Sequence, residues 1–302
     1  MSLPRLAVAA ACATLFTMTG HAYGNVSSIS VSIDDEGAVE NCDGIRIHFG
    51  DKDHPRPMVR EEESLEGRTP ALRAGLSSHG HILVRGWDED RTSVLACKAA
   101  GAKSESEARE KLDKISATLR GDTLSLSGPA DEEWVTYFLV RVPRKTTLDL
   151  DATNGSIRVG DVTGSLRART VNGPVSLSGC SGDVDARAVN GPISLRGGEG
   201  HATLRAENGP ITVTLTGSRW RGEALDARTQ NGPVSLSLPA GYSSGVEVAT
   251  SGYSPVTCNA DACKEAAKTW EDDSRRITFG GSPVVVHLAT ENGPVSIGGL
   301  EE

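Results

Sequence analysis

Apolar and polar residues alternate strictly through the second half of the chain, and the alternation itself repeats. Two, four and six places before each of Asn154, Asn172, Asn190, Asn208, Asn231 and Asn292 stand apolar residues or threonine, such as Ala152, Leu150 and Leu148 or Ala206, Leu204 and Ala202. Three and five places after each Asn the chain is apolar again, from Ile157 and Val159 through Val175 and Leu177 to Val295 and Ile297. Ser, Thr, Arg and Asp fill the places between. A period of two predicts strands with one buried face.

The first four of these Asn residues are 18 apart, the fifth follows after 23 and the sixth after 61. Asn-Gly usually predicts a two-residue hairpin turn. Hairpins, however, do not require like residues at like positions every 18 residues, whereas stacked coils do. The spacing therefore favours a parallel β-solenoid with two strands per turn over an antiparallel meander, and parallel crossovers of this kind are right-handed. At each corner Gly is expected to supply a positive φ, which Asn tolerates. Pro174, Pro192, Pro210, Pro233 and Pro294 follow, having no N–H to donate.

Val246, Val248 and Thr250 are spaced like one more coil, and residues 253–276 break the beat. The break is expected to be a cap over the open end. The solenoid is placed at 144–302, after a β-rich region at 25–143. In that region "SISVSI", "GIRIHF", "HILVRGW", "TSVLAC", "TLSLSG" and "WVTYFLVRVP" read as strands. Residues 104–119 read as its one helix, with Ala108, Leu112, Ile115 and Leu119 on one face. Residues 50–70 read as a polar loop.

Composition narrows the class. With 34 Gly and only 4% aromatic residues, the chain suits tight-turned, all-β structure. Residues 1–24 combine Arg5, the apolar run 6–16 and a small-residue stretch at 20–24. That run is too short to span a bilayer and reads as a signal peptide, so export to periplasm, cell surface or medium is expected, without a transmembrane anchor. Cys12 lies inside the run, which argues against a lipid-modified cysteine. The formal charge of −9 speaks against nucleic acid as a partner. In an oxidising compartment Cys258 pairs naturally with Cys263 and Cys42 with Cys97, leaving Cys180 as a small buried side chain.

The phrases "HGHILVRGWDEDRTSVLACKAA", a single helix, "VRVPRKTTLDLDATNGSIRVGDVTGSLRARTVNGPVSLSG" and "VVVHLATENGPVSIGG" occur here in that order. Over roughly residues 75–302 they resemble the bacterial adhesin family of exported β-solenoid proteins, long described as a domain of unknown function. The resemblance implies a right-handed β-helix-like fold at the cell envelope and brings no catalytic residues.

The outward positions carry the candidate chemistry. Three places before successive Asn residues stand Asp151, Arg169, Arg187, Arg205 and Arg228; five before stand Asp149, Arg167, Asp185, Thr203 and Asp226. This is a charge lattice in which Asp151, Asp185 and Asp226 offset stacked arginines, or an anion-recognising stripe for an envelope polysaccharide or surface protein. Ser176, Ser194, Thr212, Ser235 and Ser296 form a second outward row, read as the polar half of a strand. Trp220, in the expanded stretch before Asn231, is expected to project at a corner. A polysaccharide lyase or glycosidase would need two free acids about 5–9.5 Å apart, and each Asp here already has a surface role. His48, Asp51, Asp53 and His54 are the only metal-like group, and a polar loop explains them, so no cofactor is expected. The sequence reading is an exported, non-catalytic, adhesin-like binding or scaffolding protein, with a polysaccharide-acting enzyme (lyase or glycosidase), or a self-assembling or envelope-stress-associated scaffold, as alternatives.

Overall fold

The computed structural model describes residues 29–33, 41–51, 53–130, 133–251, 254–264, 266–270 and 274–300. The leader expected at 1–24 lies outside them, as do residues 253, 265 and 271–273 of the expected cap.

Strand β1 (Ile29–Ile33) pairs antiparallel with β2 (Ile45–Phe49). The alternation of β2 buries Ile45, Ile47 and Phe49 with Ala99, Val135 and Tyr137. A disulfide between Cys42 and Cys97, whose Cα atoms are 5.5 Å apart, ties this unit down. The cross-link spans 55 residues, so replacing both cysteines by serine should lower stability by about 4 kcal/mol, read from the shift in urea midpoint.

Residues 50–70 are not the loop the sequence suggested. Met58–Gly67 forms β3, ten residues paired antiparallel along their whole length with β5 (Thr92–Gly101). Its charged run hides the strand period, and its partner explains why the run is tolerated. Buried Lys98 of β5 donates to Glu61 at 2.8 Å and Glu63 at 3.0 Å. Those two carboxylates hold the Lys98 ammonium above its ordinary pKa against the opposing effect of burial. In the chain, β3 and β5 are separated by β4 (Ala71–Trp87), the longest strand.

Helix α1 spans only Glu105–Leu112, capped by Ser104 Oγ accepting from Glu107 N–H at 3.3 Å. The expected helix ran to 119. Instead Ser116–Arg120 is β6, a hairpin partner of β7 (Thr123–Ser127) around Gly121 at φ 60°. Leu119 fits the 3.6 period of the helix face and, with Ile115 and Ala117, also a period of two; pairing of Ala117 with Leu126 and of Leu119 with Leu124 decides for the strand. Next comes β8 (Trp134–Pro143), paired antiparallel with β5 and parallel with β4.

From here long and short strands alternate: β9 (Thr147–Asn154), β10 (Ile157–Gly160), β11 (Thr163–Asn172), β12 (Val175–Ser178), β13 (Ser181–Asn190), β14 (Ile193–Arg196), β15 (Glu199–Asn208), β16 (Ile211–Thr214), β17 (Ala224–Asn231) and β18 (Val234–Leu238). The long strands pair parallel with one another, and so do the short ones. Val175 pairs with Ile157 on one side and Ile193 on the other, so Asn-Gly does not close a hairpin. The long β4 opens both ladders, Leu72 pairing with Leu148 and Ile82 with Ile157. Columns such as Leu150, Ala168, Ala186, Leu204 and Ala227 face Ile157, Val175, Ile193, Ile211 and Val234, all at 0% exposure in one continuous core.

The C-terminal strands are β19 (Gly245–Ser251), β20 (Val256–Cys258), β21 (Ala267–Trp270), β22 (Ser274–Phe279), β23 (Val284–Asn292) and β24 (Val295–Gly299). They do not stack in chain order. The last repeat, β23 and β24, lies against β17 and β18. The degenerate coil of β19 and β20 stacks outside it. Beyond β19 the chain turns back as antiparallel β22 and β21, covering the end of the long-strand ladder. Cys258 and Cys263 are bridged beside β20.

Candidate functional site

The repeated Asn-Gly phrase builds a corner out of close contacts. Each Asn side-chain amide donates to the Asn of the preceding coil: Asn172 to Asn154 at 2.8 Å, Asn190 to Asn172 at 3.0 Å, Asn208 to Asn190 at 3.1 Å, then Asn231 to Asn208 and Asn292 to Asn231, both at 3.0 Å. This ladder satisfies one polar group per coil and keeps the corners in register. The following glycines stack equally closely. A Cβ on Gly191 would lie 2.1 Å from the Gly173 carbonyl oxygen, and one on Gly209 2.1 Å from that of Gly191. The expectation that Gly supplies positive φ here fails except at Gly173, whose φ is 157°; what excludes a side chain is the coil beneath. The opposite corner is where the left-handed conformation occurs, at Asp161, Gly179 and Gly197, with φ between 58° and 66°.

The outer face of the long strands carries the charge lattice. Register places Asp151, Arg169, Arg187, Arg205 and Arg228 in one column, and Asp149, Arg167, Asp185, Thr203 and Asp226 in the next. Arg169 grips Asp151 with both nitrogens, Nε to Oδ1 at 2.8 Å and a terminal nitrogen to Oδ2 at 2.9 Å, and also reaches Asp149 at 3.3 Å. Donating to the Asp151 carboxylate raises the Arg169 pKa above its usual value. Arg187 is held within its own strand by Asp185 at 3.0 and 3.1 Å, and Arg228 by Asp226 at 3.5 Å. Arg167 pairs in register with Asp149 on one side and Asp185 on the other.

Arg205 departs from this scheme. Thr203 stands where the flanking strands have Asp185 and Asp226. Among the described residues Arg205 forms no ion pair; its guanidinium donates to the Leu204 and Asp226 backbone carbonyls at 3.3 and 3.5 Å. Partial burial, then the neighbouring Arg228 and Arg187, pull its pKa below the usual arginine value.

Trp220 does not project. It is 6% exposed, and its indole N–H donates to the Gly200 carbonyl at 3.1 Å. In the inner corner Val162 and Cys180, each 2% exposed, fill successive coils, but Gly198 has no side chain to continue them. The expanded stretch carries the indole back into the core, where it lines a small recess of about 200 Å³ together with Gly198. Trp220 therefore belongs to the core rather than to the charged outer face. Cys180 is a buried thiol whose pKa burial pushes to about 11, so in native protein it should resist alkylation and react only after denaturation.

The hydroxyl row sits on the short strands. Ser176, Ser194, Thr212, Ser235 and Ser296 pair one after another, and the hydroxyls of the last two are 3.0 Å apart. Of the metal-like group, His48 lies within β2, and in the turn that follows, Asp51 accepts from the backbone N–H groups of Asp53 at 3.0 Å and His54 at 2.7 Å. Its carboxylate is thus used in closing a turn. No group of three or more metal-ligating side chains occurs among the described residues, and no described helix is long and apolar enough to cross a membrane.

No family model matches the chain, and no curated protein matches it. Solved structures similar to parts of it include a candidate cell adhesion protein from Clostridium sporogenes, 11% identical over 80% of this chain and 100% of that one, with a TM-score of 0.27. A candidate adhesin from Bacteroides fragilis is 12% identical over 81% and 97%, at a TM-score of 0.34. A candidate lipid-binding protein from Parabacteroides distasonis is 11% identical over 80% and 97%, at 0.25. At such TM-scores the likeness carries no weight for fold or role.

Proposed function

We propose that this chain is an exported, non-catalytic envelope protein that binds or scaffolds through the repeated outer faces of a right-handed parallel β-solenoid. The observation that carries this reading is the in-register parallel pairing at 18-residue offset, which sets like side chains in columns on an outward strand face. Such a surface meets a repeating or extended partner at many equivalent points, so weak contacts add. A hydrolytic reading receives no such support: Asp149, Asp151, Asp185 and Asp226 are each engaged by an arginine, and Asp183 by His201. Export is supported by the apolar run at 6–16 and by the two bridged cysteine pairs.

The ends of the ladders argue for a monomer over self-assembly. Edge strand β3 carries Glu61, Glu62, Glu63 and Glu66, and β20 is only three residues long. Glycan-array and envelope pull-down experiments with the exported chain test the reading. Retention of a polymer or surface protein without turnover is expected. Cleavage of a bound polysaccharide, or concentration-dependent filaments in light scattering, would contradict it.

A further inference from the structure

The charge lattice of the long-strand face is nearly closed on itself, which narrows where it can meet a partner. Arg169, Arg187 and Arg228 each have a carboxylate from this chain, and Arg205 between them has none. Over β13, β15 and β17 three stacked guanidiniums, Arg187, Arg205 and Arg228, are matched in these two columns by only Asp185 and Asp226. Adjacent coils are about 4.8 Å apart, so Arg205 has a like charge on either side. The nearest carboxylate further along its own strand, Glu207, makes no ion pair with it among the described residues.

We propose that Arg205, flanked by Arg187 and Arg228 and beside Thr203, is a subsite for a carboxylate carried by an acidic envelope polysaccharide. The inference rests on the binding role proposed above and assigns it a position and a chemistry. Its template is on the same face: Arg169 receives the Asp151 carboxylate of the neighbouring coil through two parallel N–H donors. The planar fork fits a carboxylate in that way. At Arg205 the acid that Arg187 and Arg228 take from two places earlier in their own strands is missing because residue 203 is Thr, and a uronic-acid carboxylate supplies it from outside. The Thr203 hydroxyl offers a further donor at the same place. The uncovered charge of one unit suits a singly charged group.

Calorimetric titration of the exported chain with polygalacturonate oligomers at low and high salt tests the site. Fully methyl-esterified oligomers provide the uncharged control, and poly(glycerol phosphate) a phosphate polyanion. Binding of polygalacturonate that weakens with salt, and no binding of the ester, is expected. Thr203→Asp restores the acid that both flanking strands carry at this place and should weaken binding at least tenfold. Arg205→Gln should do the same through loss of the cation, and Glu207→Gln should leave binding equal or tighter. Unchanged urea midpoints show that the variants fold. Binding by Thr203→Asp equal to that of the original chain overturns the site, and equal binding of the ester overturns the charge argument. Preference for poly(glycerol phosphate) overturns the carboxylate assignment. If polygalacturonate does not bind while another polymer is retained in the pull-down, this inference falls and the general binding role stands.

Discussion

Replacing Gly191 by alanine is expected to destabilise the chain by about 3 kcal/mol or more, at the upper end of overpacking effects. The reason is the 2.1 Å approach of the added Cβ to the Gly173 carbonyl oxygen, which belongs to the backbone of the next coil and cannot swing aside. Relief would require parting the two coils at their corner. That motion also stretches the hydrogen bond from Asn190 to Asn172 and the backbone bond from Gly173 N–H to the Asn190 carbonyl. Gly298, the fourth of the five residues of β24, provides the control, since a Cβ there meets nothing within 4 Å. Gly298→Ala should change stability by no more than about 0.5 kcal/mol. Urea midpoints of the two variants measure the difference. Equal, small effects would mean that the corners are not stacked as described.

Trp220→Ala should cost about 3–5 kcal/mol, the range for emptying a buried aromatic site. The indole is 6% exposed and packs in the continuous core, so its removal empties a buried site. Its lost N–H donor also leaves the Gly200 carbonyl without that bond. Trp220→Phe keeps most of the volume and loses only the donor, so it should fall between the original chain and the alanine variant. The same denaturation series checks both. A surface role for Trp220 predicts instead that both substitutions are nearly neutral and that binding suffers.

These two residues show where sequence was sufficient and where it was not. The 18-residue beat fixed which positions are buried, because alternation and repetition are properties of the residues themselves. Parallel pairing of Val175 with Ile157 and Ile193 follows from the same beat. The bridges Cys42–Cys97 and Cys258–Cys263 were legible from cysteine count and spacing. The burial of Trp220 escapes the sequence because the five extra residues of its coil hide which way the loop returns. The stacking order of the C-terminal coils was hidden for a related reason. The phrase at 292 matches the phrase at 231 better than Val246, Val248 and Thr250 do, and pairing follows likeness over chain order.

Local pattern failed twice in the N-terminal region. Residues 115–119 fit two periods, and tertiary pairing chose between them. The acidic run of β3 concealed a strand because its carboxylates are neutralised by Lys98 from a neighbour distant in sequence. At the candidate site, sequence supplied both charged columns but not their pairing. That Arg205 lacks an acid depends on which Asp each neighbouring arginine takes, and this is settled by side-chain geometry.

The most direct test of the parallel stack is a set of pairwise spin-label distances along the outward row of the short strands. Labels at Ser176 paired with Ser235, Ser296 or Thr257 sample three, four and five coil steps. At about 4.8 Å per step, separations of about 14, 19 and 24 Å are expected before label length is added. Position 296 should thus lie nearer to 176 than position 257 does, against their order in the chain. Even increments in that order are what the stacked coils predict. A 257 label closer than the 296 label, or separations without regular steps, would contradict them.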